Sequence, residues 1–142
     1  IGGVDVGNVI CFEIAYRDVV DAVIDGGAQV LTVQTNNATY GGTSQPAQQL
    51  GIERIRASEF GRTVLVAATS GISAVIAPDR SISQRLDEGE TGWLMAQVPL
   101  SDRTTPAAAL GHVIEVALCL IGAAAVVTAV VRTRRNRRDA IA

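Results

Sequence analysis

Cys11 is the residue of this chain best suited to covalent chemistry. It closes the apolar run Val9-Ile10, and Phe12-Glu13-Ile14-Ala15-Tyr16 follows before a helix is expected to open at Arg17-Asp18. A strand that hands a thiol to a helix start, with a carboxylate two residues on, has the parts of a thioester-forming nucleophile. Unpaired N–H groups at a helix start stabilise a thiolate, and backbone N–H groups just after the cysteine can hold an oxyanion. The competing reading of Cys11 is an inert, buried small hydrophobe. Glu13 also has two readings. On an extended chain it shares a face with Cys11 and orients the thiol or an incoming amine; alternatively it is a turn carboxylate capping the helix.

Asn36, Asn37, Thr39 and Tyr40 belong to a polar loop expected over Thr35 to Thr43. They lie beside Cys11 if the strands before them pair in parallel, and either shape a pocket mouth or form an ordinary turn. Asn37-Ala38-Thr39 has the form of a glycosylation sequon, weak evidence as a bare tripeptide.

The elements that must position these groups follow from apolar patterning. Residues 4–10 read as a short buried strand and 17–25 as a helix with Val19, Val20, Val23 and Ile24 on one face, ended by Gly26-Gly27. Val30 to Val33 is the next strand. A second helix covers about Gln45 to Gly61, with Leu50, Ile55 and Ala57 inward and Glu53, Arg54, Arg56 and Glu59 outward. Strands are expected at Thr63 to Thr69, Ser73 to Ile76, Ile82 to Arg85 and Gly92 to Pro99, with a kink at Ser70-Gly71 and a turn at Pro78-Asp79-Arg80. Strands and helices that alternate, then give way to a run of strands, predict a layered α/β domain.

Charge and hydropathy add a second unit. The chain has 142 residues and carries a net charge of −2. Residues 132–142 hold five arginines and one acid, so the body is acidic and the tail basic, which argues against nucleic-acid binding by the body. All 12 basic residues are arginine, so a mechanism that uses lysine must draw it from elsewhere. Residues 113–131 contain one charge, Glu115, and as a helix would span about 28 Å, near the ~30 Å of bilayer hydrocarbon. Arg132, Arg134, Arg135, Arg137 and Arg138 follow in a stop-transfer pattern, which places the tail in the cytoplasm and the acidic domain outside it. The expected organisation is a domain at 1–100, a linker at 101–112, a transmembrane helix at 113–131 and a basic tail at 132–142. Cys11 and Cys119 lie in settings too different for a disulfide, and His112 has no ligand-type neighbours. No zinc spacing, dinucleotide fingerprint or P-loop is present in the sequence.

Several segments in this order resemble the nitrilase (carbon-nitrogen hydrolase) superfamily and, within it, the apolipoprotein N-acyltransferase family. These are VICFEIAY at 9–16, the loop TNNATYG, a helix closing on RASEFGR, and VLVAATSGISAVIAPD. The resemblance covers about residues 4–100, with a last membrane helix and basic tail where that family places them. It implies an αββα sandwich, of which this chain holds the C-terminal half, and a Glu-Lys-Cys triad without cofactor. Cys11 matches the nucleophile, which takes an acyl chain from a phospholipid as a thioester. The chain then passes to the N-terminal diacylglyceryl-cysteine of a lipoprotein at a bacterial cell membrane.

The resemblance puts the Glu and Lys of the triad upstream, which implies that this stretch alone is inactive and marginally folded. Glu13 matches a further acidic position of the family. Phe12 stands where relatives often have Tyr, leaving packing or acyl-chain contact, and Arg17 stands where they often have Pro. The chain begins at Ile1 rather than Met, inside a Gly-rich approach to a strand, and is expected to be the carboxy-terminal part of a longer protein. A membrane-tethered amidase that passes its acyl group to water, and an anchored interaction domain with Cys11 in its core, are the rival readings.

Overall fold

The first two strands of this chain are each followed by a helix that crosses back over the sheet. The computed structural model describes residues 2–139, apart from the side chains of 134–139. Strand β1 (Val6–Ile10) leads through a 3-10 turn (Cys11–Ala15) into helix α1 (Arg17–Asp25). Strand β2 (Val30–Asn36), helix α2 (Gln45–Phe60) and strand β3 (Val64–Ser70) follow, then β4 (Ser73–Ile76) and β5 (Ile82–Leu86). The five strands form one sheet in chain order. β1, β2 and β3 run parallel, as crossover helices require, while β4 and β5 return antiparallel.

Alternation along the strands divides the sheet's two faces. Val9, Leu31, Val33, Val64 and Val66 pack with Val20 of α1 and with Leu50, Ala57 and Phe60 of α2. Gly7 permits the close approach of α1, because a Cβ there would lie 2.3 Å from Val23 Cγ1. The opposite face presents Asn8, Thr32, Gln34 and Leu65 to a groove of about 1050 Å³ bordered by Trp93 and Met95. Two layers are therefore present, helix on sheet, with the second sheet face open.

Three expectations are corrected. Residues 92–99 form no strand: Gln84 of β5 bonds both backbone groups of Met95 through its side chain, its Nε2 donating to Met95 O at 2.6 Å and its Oε1 accepting from Met95 N at 3.1 Å. A side chain thus takes the place of a ladder, and Trp93 stays 77% exposed. β2 runs on to Asn36, because Gln34, Thr35 and Asn36 still pair with β3 across a bulge. In α2 the inward and outward assignments of two residues reverse, with Glu53 1% exposed and Ile55 58% exposed. The buried positions Pro46, Gln49, Leu50, Glu53, Ala57 and Phe60 make one helical stripe that includes Glu53 and leaves Ile55 on the far side.

The chain divides into two compact units, Ile1–Ala108 and Ala109–Ala142. Helix α3 (Pro106–Asp139) begins inside the stretch expected as a linker. Its segment Pro106–Thr133 is long and apolar enough to cross a membrane, its most apolar 18 residues having a mean hydropathy of 2.5 with none of them buried. The side chains of Arg134, Arg135, Arg137 and Arg138, and residues 140–142, lie outside the described residues.

Candidate active site

β1 ends at Ile10, and the next residue turns the chain sharply. Cys11 has a φ of 52°, in the left-handed region, where an L-residue is strained by about 1–2 kcal/mol. Such strain persists only where surrounding contacts hold it, and here they are polar. Arg56 of α2 donates from Nε to Ile14 O at 2.9 Å and from Nη2 to Ala15 O at 2.5 Å. Arg56 also pairs with Glu59, which pairs in turn with Arg17. Arg17 bonds Asp21 at 3.0 Å and Ala108 O at 2.7 Å. Ile14 is fully buried beneath this clamp.

Glu13 does not sit on an extended chain. The turn brings its Oε2 back to accept the Ile10 N–H at 2.9 Å, which is the geometry of the capping alternative. Phe12 and Tyr16 stand half-exposed beside the thiol segment, edge to face with ring centres 6.3 Å apart.

The parallel register sets Ile10 opposite Gln34, so Cys11 and Thr35 follow side by side. Thr35 Oγ1 donates toward Cys11 Sγ at 3.3 Å. Behind Thr35 lies a chain of buried polar groups. Asn37 Oδ1 is 3.1 Å from Thr35 Oγ1, and Asn37 Nδ2 donates to Gln49 Oε1 at 3.0 Å. Gln49 Nε2 donates to Thr35 Oγ1 at 3.3 Å and to Glu53 Oε1 at 3.1 Å. Thr35, Asn37, Gln49 and Glu53 are 6%, 3%, 3% and 1% exposed. Burial pushes the Glu53 carboxyl from its usual 4.5 up to about 8, the bond from Gln49 opposing it only in part.

The loop residues separate by role. Asn37 is buried, its amide committed to Gln49, and Gly71 lies against it so closely that a Cβ would fall 2.7 Å from Asn37 Oδ1. Asn36 Oδ1 accepts from Ala38 N at 3.0 Å and from Ser70 Oγ at 2.6 Å, tying the end of β2 to the end of β3. Thr39 and Tyr40 are exposed. Cys11 lines neither the groove over the open sheet face nor the smaller one of about 320 Å³ beside Gly71. Both cysteines are free, and Cys119 lies exposed on α3.

Thr35, Gln49 and Glu53 were not among the residues expected from the sequence to belong to the site. Polar residues at i and i+4 within a stripe that also holds Leu50 and Ala57 were the available signal.

The carbon-nitrogen hydrolase family model matches residues 1–107. An apolipoprotein N-acyltransferase of Mycolicibacterium smegmatis is 37% identical over 94% of this chain and 22% of its own length. One from Shewanella oneidensis is 32% identical over 82% of the chain and 23% of its own. The chain thus spans under a quarter of the length of these curated relatives. A mutant of the amidase from Nesterenkonia sp. AN1, carrying the acetamide moiety of fluoroacetamide added covalently at its active-site cysteine, superposes with a TM-score of 0.51 at 27% identity. That match covers 62% of this chain and 35% of the amidase.

Proposed function

The chain belongs to the carbon-nitrogen hydrolase family, and on that footing we propose that it carries the nucleophile of a membrane N-acyltransferase acting on lipoproteins. The observation that carries the reading is a strained cysteine at a strand end, faced by a hydroxyl that donates to its sulfur. The hydroxyl and the fixed turn hold the sulfur in one orientation. Relatives named apolipoprotein N-acyltransferase and the membrane-length helix support a lipid substrate over a soluble one.

The Cys11 thiolate attacks the ester carbonyl of a phospholipid. The oxyanion that forms is within reach of backbone N–H groups following Cys11. It collapses to a thioester as the lysophospholipid alkoxide leaves and takes up the proton that the thiol gave. The α-amine of a diacylglyceryl-cysteine then attacks the thioester, the C–S bond breaks as the amide forms, and the proton given up by the amine goes to the released sulfur. Glu13 supports the thiol by holding the turn through Ile10 N–H. Phe12, Tyr40, Thr39, Asn36 and Asn37 shape the rim where acyl chain and acceptor meet. The family's Glu and Lys act from the remainder of the protein, so this stretch alone forms no thioester. The arginine run supports a cytoplasmic C-terminus with the thiol on the opposite side of the membrane.

The test supplies the full-length protein with a phospholipid labelled in its acyl chain and a diacylated lipopeptide. Label in an amide on the lipopeptide is the expected result. Label released as free fatty acid would identify a hydrolase instead.

A further inference from the structure

The chain of bonds behind the thiol ends on an acid that no step above uses. Thr35 has one hydroxyl proton and two acceptors, Cys11 Sγ at 3.3 Å and Asn37 Oδ1 at 3.1 Å. Which acceptor it serves depends on the groups that fix its oxygen. Gln49 presents one N–H to that oxygen and the other to Glu53, while Asn37 holds the Gln49 carbonyl. Thr35, Asn37, Gln49 and Glu53 are all buried and only the Cys11 end is partly open, so charge on Glu53 is poorly screened along most of the path.

We propose that Glu53 is a positioning residue for the Cys11 thiol, acting through Gln49 and Thr35 and weakening the thiolate when it ionises. The proposal rests on the reading of Cys11 as the reactive thiol. A neutral Glu53 leaves Gln49 free to donate to Thr35, whose proton then points to sulfur. An ionised Glu53 draws the Gln49 N–H toward itself and sets a second negative charge behind the thiolate. Among the described residues, Glu53 is the one buried carboxyl. β2, β3 and β4 bring no ionisable side chain, and the turn brings only Cys11 and Glu13. Within α2, Arg56 and Glu59 are paired with each other, and Arg54 is bonded to Arg80 O. Burial keeps Glu53 neutral up to about pH 8.

The test is the pH profile of iodoacetamide alkylation at Cys11, read by peptide mass spectrometry on the full-length protein in detergent. Wild type should fall below a single-thiol titration curve above a pH of about 8, by roughly threefold or more. Glu53→Gln should remove that shortfall. Thr35→Val should remove it as well and slow alkylation at neutral pH by roughly tenfold, since the donor to sulfur is gone, whereas Thr35→Ser restores both. A purely structural Glu53 would change melting temperature and leave the profile's shape alone. Superimposable wild-type and Glu53→Gln profiles, or a shortfall that survives Thr35→Val, would overturn the proposal. Alkylation needs no acyl donor, so a failure of acyl transfer with the profile intact would count against the proposed function only.

Discussion

The hydroxyl of Thr35 reaches the sulfur of Cys11 at 3.3 Å across two parallel strands. That contact joins the segment that bends the chain to the segment that buries it. Cys11 sits on a turn strained at φ 52°, and Thr35 sits on the core face of β2, one residue beyond the last β1–β2 pair.

Backbone strain at Cys11 gives the first prediction. Glycine adopts a positive φ without penalty, whereas alanine does not. Cys11→Gly should therefore be more stable than Cys11→Ala by about 1 kcal/mol, reversing the usual order of the two residues. Thermal unfolding of the two variants in the same detergent decides it; an alanine variant as stable as the glycine one would show the turn to be relaxed.

Glu53 makes stability depend on pH with a definite sign. Its carboxyl is raised from 4.5 to about 8 in the folded state, so folding takes up a proton wherever the pH lies between those values. The stabilisation is complete below about pH 4.5 and declines as pH rises toward about 8, by up to ~1.4 kcal/mol per pH unit. Glu53→Gln should flatten the melting temperature across this interval and raise it at the alkaline end. An unchanged slope would mean that another group titrates.

Arg56 clamps the thiol turn through Ile14 O and Ala15 O, and replacing it with alanine also strands Glu59 beside Arg17. Arg56→Ala should cost about 2–4 kcal/mol and lower Cys11 alkylation, since charge-assisted bonds are worth about 1.5–3 kcal/mol each. Arg56→Lys, which cannot span both carbonyls, should fall between. Full stability in the alanine variant would place the turn's support elsewhere.

Gly71 combines φ +111° with contact against Asn37 Oδ1. Gly71→Ala should lose about 2 kcal/mol or more by strain and by displacing the amide that holds Gln49. Because Asn37 Oδ1 competes with Cys11 Sγ for the single Thr35 hydroxyl proton, faster alkylation of Cys11 should accompany that loss; a destabilised variant with unchanged thiol reactivity would separate the loop from the site.

Much of the fold was legible because strand and helix patterns here are strong. The parallel pairing of β1 with β2 follows from the helix between them, and the turn at Pro78-Asp79-Arg80 forms, with Arg80 N bonded to Ala77 O at 2.9 Å. The last strand was misread because Trp93-Leu94-Met95 has strand composition, while the Gln84 side chain that replaces the ladder leaves no pattern in local sequence. Glu53 was misread for a related reason: a glutamate on a helix is usually solvated, and only Gln49 one turn earlier makes its burial tolerable. Cys11 and its neighbours were visible from motif order, but the left-handed turn that presents the thiol, and the Thr35 hydroxyl beside it, required coordinates.

The most direct test looks for the intermediate itself. Full-length protein is incubated with labelled phospholipid and no acceptor, and the peptide containing Cys11 is analysed by mass spectrometry. An acyl adduct on Cys11 that neutral hydroxylamine releases, and that lipopeptide discharges on addition, is the predicted result. Undiminished transfer to lipopeptide by Cys11→Ala, with no adduct on the wild-type peptide, would contradict the account.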